Sequence, residues 1–289
     1  MTKATNSNLM SYLEKTVKFF STYTLLPGIV AIFVIYFSST LYEVKVPPII
    51  PLLAFLTAFA VYNLNKVTDY TEDTINKPNK NTKKQLYHTT TAILCYTTTL
   101  IISITKGTQI FLTCLIPLII GFIYSVKISK SLYRLKEILY IKNISVAFSL
   151  AFTGALLPTF INTTVISTEK IIMVFLYIFI QFFTNTVLFD IIDTPGDNVA
   201  NIKTIPIRLG KQKTTYLLLL INSLLIPWLI TIITTDIFTK YLPTTIFGIL
   251  YSYGIIWYFT KKERKRHHAE ILIDGAWLPI IILLLLTPH

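Results

Sequence analysis

The chain has 289 residues, 53% of them hydrophobic, and only 14% charged, with a formal net charge of +12. A soluble domain carries about a quarter charged residues, so this composition excludes an ordinary soluble globule. Apolar runs near twenty residues recur along the whole length, the pattern of a polytopic membrane protein.

In chain order, residues 1–18 are polar and weakly amphipathic. They lack the short apolar core and small-residue cleavage site of a secretory signal. They are predicted to be a cytoplasmic segment ahead of a single transmembrane domain over 19–289. Nine spans are predicted, near 19–40, 47–64, 86–105, 108–126, 138–160, 169–190, 214–235, 240–260 and 269–287. In lipid every backbone polar group must be satisfied within the element, so the predicted fold class is all-α, a polytopic helical bundle. The many Thr residues fit, because a Thr hydroxyl can bond back to its own helix. Cys95 and Cys114 fall inside apolar runs and read as small buried hydrophobes.

Charge sets the orientation. With the N-terminus in the cytoplasm and nine alternating spans, 22 of the 26 basic residues fall on the cytoplasmic side. Only Lys45, Lys106, Lys170 and Lys240 fall on the other. A different span count would scramble this partition. The basic excess is therefore explained by topology and anionic lipid, and implies no nucleic-acid partner. The segment "KKERKRHH" (261–268) reads as a solvated cytoplasmic loop, and neither His267 nor His268 is a functional candidate.

The acids are not scattered. Six of the 14 fall in two clusters, Asp69, Glu72, Asp73 and Asp190, Asp193, Asp197. Each lies at the cytoplasmic end of an even-numbered span, the second or the sixth. A helix turns about 100° per residue, so Asn65, Asp69, Glu72, Asp73 and Asn76 share an arc of roughly 100° if the helix runs through them. Asp190, Asp193 and Asp197 share roughly 60° on the same condition, with Pro195-Gly196 a candidate break. Converging carboxylates raise one another's pKa or hold a cation. An all-oxygen set suits Mg²⁺, Mn²⁺ or Ca²⁺, and Mg²⁺ typically binds one or two carboxylates plus substrate phosphates. The plain alternative is a polar helix end whose acids pair with nearby lysines.

These residues resemble the UbiA superfamily of intramembrane prenyltransferases. The first family motif, N-D-x-x-D-x-x-x-D followed by Asn-basic-Pro, reads here "NKVTDYTEDTINKP". Asn65, Asp69, Asp73, Asn76, Lys77 and Pro78 match, while Lys66 stands where an Asp is usual and Glu72 shares the helical face. The second, D-x-x-D-x-x-G-D followed by Lys-Thr-hydrophobic-Pro, reads "DIIDTPGDNVANIKTIPIRLG". There Asp190, Asp193, Gly196, Asp197, Lys203, Thr204, Pro206 and Gly210 match. A weaker element between spans four and five, "IYSVKISKSLYRLKEILYIKN", resembles the family's Tyr-Ser and Lys-bearing loop. It matches through Tyr124, Ser125 and one of Lys130 or Lys136.

The resemblance implies transfer of an isoprenyl group from an isoprenyl diphosphate donor to a lipophilic acceptor, within the lipid of the membrane. Two Mg²⁺ ions are the implied cofactor, held by Asp69, Asp73, Asp190, Asp193 and Asp197. Asp69, Asp73, Asp193 and Asp197 are the implied catalytic residues. Asn65, Lys130, Lys136, Lys203, Tyr124 and Ser125 are the implied diphosphate contacts. Two other readings are a cation-coupled transporter, which would place its acids at mid-bilayer in broken helices, and a family member that has lost activity. A CDP-alcohol phosphotransferase is set aside, because Asp274-Gly275 is followed by Ala276-Trp277 and no Arg.

Overall fold

The protein is described by a computed structural model. It describes residues 16, 19–20, 22–76, 82–129, 131–160, 165–199, 202–264 and 266–287, and for 70–76, 82, 199 and 267 the helical backbone alone. Eleven α-helices and no strands occur among the described residues. They are α1 (Leu25–Leu41), α2 (Ile49–Asn76), α3 (Thr82–Lys106), α4 (Thr108–Ser125), α5 (Ile141–Leu156) and α6 (Thr168–Val199). After these come α7 (Ile205–Ser223), α8 (Leu225–Thr234), α9 (Leu242–Lys261), α10 (Arg266–Leu272) and α11 (Trp277–Leu286).

Seven stretches are long and apolar enough to cross a membrane, with α7 and α8 together forming one and residues 268–286 another. Helix α1 is a shorter apolar helix. Helix α3, predicted as a span, has the length at 25 residues but is diluted by Thr and Lys. Its hydroxyls turn back onto the helix, as Thr97 Oγ1 does to the Ile93 carbonyl at 2.9 Å.

Two helices overshoot. At 1.5 Å per residue, a hydrocarbon core of about 30 Å needs about 20 residues. Helix α2 has 28 and α6 has 32, so each has a final third in excess of what such a core needs. Those final thirds hold the two acidic motifs. Pro195 does not end α6, which continues to Val199. The candidate break at Pro195-Gly196 is therefore absent, and Asp190, Asp193 and Asp197 share one helical face.

Helix–helix contact in lipid is driven by close packing rather than by expulsion of water, so small residues mark interfaces. On α5, Ala147, Ala151 and Ala155 recur every fourth residue and are fully buried. Helix α5 packs along α6 and against α1. A Cβ at Gly154 would run into the Val34 side chain of α1, and one at Gly121 of α4 would meet Val61 of α2. Both glycines let neighbouring helices close around the same space. An aromatic cluster packs behind the cavity wall: Phe37 stacks on Tyr177 at 5.2 Å, and Phe182 on Trp277 at 5.4 Å. Two buried aromatic tips find backbone partners, Trp228 Nε1 to the Met173 carbonyl at 2.8 Å and the Tyr42 hydroxyl to the Ala155 carbonyl at 3.0 Å. Cys95 and Cys114 are buried free thiols, as their apolar context predicts.

Candidate active site

One cavity of about 310 Å³ is bounded by α1, α2, α4, α5, α6 and α10. Its wall descends α2 from Asn65 to Ala54 and α6 from Asp193 to Phe182. Eleven residues of helix correspond to a depth of about 16 Å. The lower wall is mostly apolar, with Val30, Ala31, Val34, Ala58, Ile120 and Leu150, and a few hydroxyls such as Thr57 and Thr153. The mouth is polar, with Asn65 and the charged Lys66, Asp190, Asp193, Arg266 and Glu270, and Asp274 also lines the cavity.

Alternation of the helices brings the ends of α2, α4 and α6 and the starts of α5 and α10 to this one end of the bundle. On α2, Asn65 Nδ2 donates to Asp69 Oδ2 at 2.9 Å. The Ser125 hydroxyl, at the end of α4, donates to Asn65 Oδ1 at 3.4 Å. Lys136 Nζ donates to Asp69 Oδ1 from a loop 67 residues away. On α6, Asp190 is buried and holds two partners from the start of α5, Lys142 Nζ at 2.6 Å and Asn143 Nδ2 at 2.8 Å. Asp193 takes Arg266 Nη1 on both carboxylate oxygens, at 2.6 and 2.7 Å. Tyr124, beside Ser125 on α4, lines the same cavity.

The loop that delivers Lys136 is tightly held. Arg134 N donates to Glu137 Oε2 at 2.9 Å, and its guanidinium donates to Oε1 at 2.9 and 2.6 Å. These bonds close a turn of 3₁₀ helix over Leu135–Glu137. Partial burial works to raise the Glu137 pKa, but the bonds from Arg134 prevail and hold it below the usual carboxylate value. Tyr140, just ahead of Lys142, has φ 66°. A positive φ at a bulky residue costs energy and is kept only where the surroundings fix it.

The acids do pair with basic groups, but not with their sequence neighbours. Each partner comes from another element, and the pairs frame a cavity. Among the described residues no three His, Cys, Asp or Glu side chains group closely enough to hold an ion by themselves. The residues present still fit a hard cation that shares its ligands with a phosphate. They offer oxygen donors only, and Asp197 Oδ2 is buried with no hydrogen-bond partner. Mg²⁺ needs just one or two carboxylates when substrate phosphates complete its shell.

The sequence-derived candidates divide as follows. Asn65, Asp69, Tyr124, Ser125, Lys136, Asp190, Asp193 and Asp197 come together at this end of the bundle. Lys203 is exposed just ahead of α7. Asp73 and Glu72 lie on the described backbone of α2, but their side chains are outside the described residues, as are Lys77, Pro78 and Lys130 altogether.

Sequence reasoning missed Lys142, Asn143, Arg266, Glu270 and Asp274. It also took 261–268 for a solvated loop. Lys261, Lys262 and Glu263 are indeed exposed, but Arg266 opens α10 and lines the cavity. Arg264 instead lies over the Tyr258 ring, 3.9 Å from its centroid. The available signal was the Arg266–Glu270–Asp274 spacing, which puts three charges on one helical face just before an apolar span.

A model of the UbiA prenyltransferase family matches residues 24–273. No curated protein matches the sequence. Among solved structures, a digeranylgeranylglyceryl phosphate synthase aligns at a TM-score of 0.62 and 16% identity, over 97% of this chain and 98% of that one. A UbiA homolog from Archaeoglobus fulgidus bound to GPP and Mg²⁺ aligns at 0.62 and 14%, over 92% and 99%. The apo structure of a UbiA homolog from Aeropyrum pernix K1 aligns at 0.67 and 11%, over 89% and 97%. At these identities the likeness to the solved structures is one of fold.

Proposed function

The chain belongs to the UbiA prenyltransferase family, and from that premise we propose that it transfers an isoprenyl group from an isoprenyl diphosphate to a lipophilic acceptor at the charged mouth of the cavity. The observation that carries this reading is the meeting of residues of both acidic motifs with Lys66, Lys142 and Arg266 around one opening whose remaining wall is mostly apolar. The charged mouth suits a diphosphate, and the apolar shaft suits its hydrocarbon tail. The A. fulgidus homolog binds GPP with Mg²⁺ in the same fold.

Asp69, Asp73, Asp193 and Asp197 would hold Mg²⁺, with Asn65 fixing the Asp69 carboxylate. Asp190, closed in by Lys142 and Asn143, supports that set from beneath. When bound, Mg²⁺ would supply Lewis-acid neutralisation of the leaving diphosphate oxygens. Lys136 and Lys142 add fixed positive charge to the site, and Lys130 and Lys203 are assigned to the diphosphate on the sequence resemblance alone. Cations already aimed where negative charge develops lower the barrier without reorganisation. Tyr124 and Ser125 contribute hydroxyl donors beside Asn65.

The bond from the allylic carbon to the diphosphate oxygen breaks, a bond to the acceptor forms, and the acceptor gives up a proton. Below the mouth, apolar residues exclude the water that would intercept the allylic cation, and the aromatic rings of Phe182 and Phe189 line the same wall. The basic face, mouth and loops are assigned to the cytoplasm on the charge partition.

The test uses purified protein with Mg²⁺ and geranylgeranyl diphosphate, read by acceptor-dependent release of diphosphate. Asp69→Ala and Asp193→Ala are each expected to lower turnover by about 10²-fold or more. Full Mg²⁺-dependent turnover in both variants would defeat the mechanism.

A further inference from the structure

We propose that Arg266 is a movable donor-binding residue: it pairs with Asp193 and turns its guanidinium to the diphosphate when donor and metal arrive. This rests on the prenyl-transfer reading above and adds a residue and a sequence of events to it. Three observations carry it.

The first is where Arg266 points. It opens α10, a seven-residue helix at the start of the last spanning stretch, and its side chain lines the mouth of the cavity. One nitrogen, Nη1, engages both oxygens of Asp193. A guanidinium on both oxygens takes acceptor sites and neutralises charge that a metal ion would use, so the two compete for Asp193.

The second is that the pair is not locked in. The Arg266 side chain is 58% exposed and Asp193 33%, whereas the neighbouring Lys142–Asp190 pair is 23% and 6% exposed. An exposed ion pair contributes little and exchanges readily. The Lys142 pair is sealed and the Arg266 pair is free to open.

The third is a second foothold. Arg266 Nε lies 3.6 Å from Glu270 Oε1, one turn along the same helix. A guanidinium that leaves Asp193 therefore stays tethered at the mouth. Its planar fork then meets the phosphate oxygens, a geometry that Arg supplies and Lys does not.

The exchange also balances charge. Without donor, Arg266 neutralises Asp193. With donor, the metal neutralises Asp193 and Arg266 neutralises part of the diphosphate. Metal and donor therefore favour each other's binding through one side chain. Such coupling is reciprocal by linkage.

The experiment compares wild type, Arg266→Gln and Arg266→Lys as purified full-length protein. Two quantities are read: the Mg²⁺ half-saturation from the thermal shift without donor, and the affinity for geranyl thiolodiphosphate with saturating Mg²⁺. In Arg266→Gln, Mg²⁺ alone is expected to bind about threefold tighter, because its competitor is gone. The analogue is expected to bind about tenfold weaker, because a charge-assisted contact is lost. Arg266→Lys should restore the Mg²⁺ value of wild type and only part of the analogue affinity. The side chain is exposed, so the variants are expected to fold.

An unchanged Mg²⁺ half-saturation in Arg266→Gln overturns the placeholder role, and an unchanged analogue affinity overturns the donor contact. A wild type that neither binds the analogue nor turns over any isoprenyl diphosphate would instead defeat the prenyl-transfer reading itself.

Discussion

The two acidic motifs look alike in sequence and differ in the folded chain. On α2, Asp69 sits near the surface, its side chain 28% exposed, between Asn65 of its own helix and Lys136 of a loop. On α6, Asp190 has a side chain only 6% exposed and is fixed by two residues of α5. One turn on, Asp193 is one-third exposed and takes the side chain that opens α10. The α2 motif is thus a rim, and the α6 motif a graded descent from rim to core. Depth decides what an acid can be asked to do. A rim carboxylate exchanges partners at little cost, whereas a sealed one is bound into the frame.

Removing the sealed acid should separate the motifs most strongly. Asp190→Ala leaves Lys142 without its counter-ion and is expected to cost about 3 kcal/mol of stability. Asp69→Ala is expected to cost about 1 kcal/mol or less. Thermal unfolding in one detergent would compare them, and equal losses would erase the distinction between rim and frame.

A smaller effect tests the asymmetry from the α2 side. Lys66 lines the mouth, one residue beyond Asn65, where the family resemblance leads one to expect an acid. Lys66→Asp trades a fixed cation for a further oxygen ligand. The Mg²⁺ half-saturation should fall by about threefold, the scale of one exposed charge, and the donor KM should rise. If neither moves, Lys66 has no part in the site and α2 is less unusual than it looks.

The smallest effect concerns the loop that serves the rim. The Glu137 pKa is lowered in the folded chain, so its stabilising share is complete above the usual value of 4.5 and is lost as pH falls through the lower folded value. Acidification through that window should loosen the Leu135–Glu137 turn. Wild type should therefore lose more thermal stability from pH 6 to pH 4 than Glu137→Gln does. Parallel curves would remove Glu137 from the account of Lys136.

Much of the fold was legible because the bilayer is a stern solvent. It forces long apolar helices, and both their number and their polarity leave a mark in composition and charge. The acids at Asp69 and Asp190 were legible for the same reason, since charge at the edge of an apolar run is costly and stands out. Helix α6 was harder. A Pro-Gly pair is an ordinary stop signal, yet the chain carries it as helix to Val199, and only that continuity keeps Asp197 on the face of Asp190.

Lys142, Asn143 and Arg266 were not legible as site residues. Each is an unremarkable polar residue at a helix start, and its partner lies 47 to 73 positions away. By itself, then, the sequence determined the helical class and the two acid-bearing helix ends, because these follow from local periodicity and from the cost of charge in lipid. Tertiary structure alone decided which cation meets which carboxylate, how deep each acid lies and where the cavity runs. Those depend on how distant helices pack, and a pairing across separate elements leaves no local pattern to read.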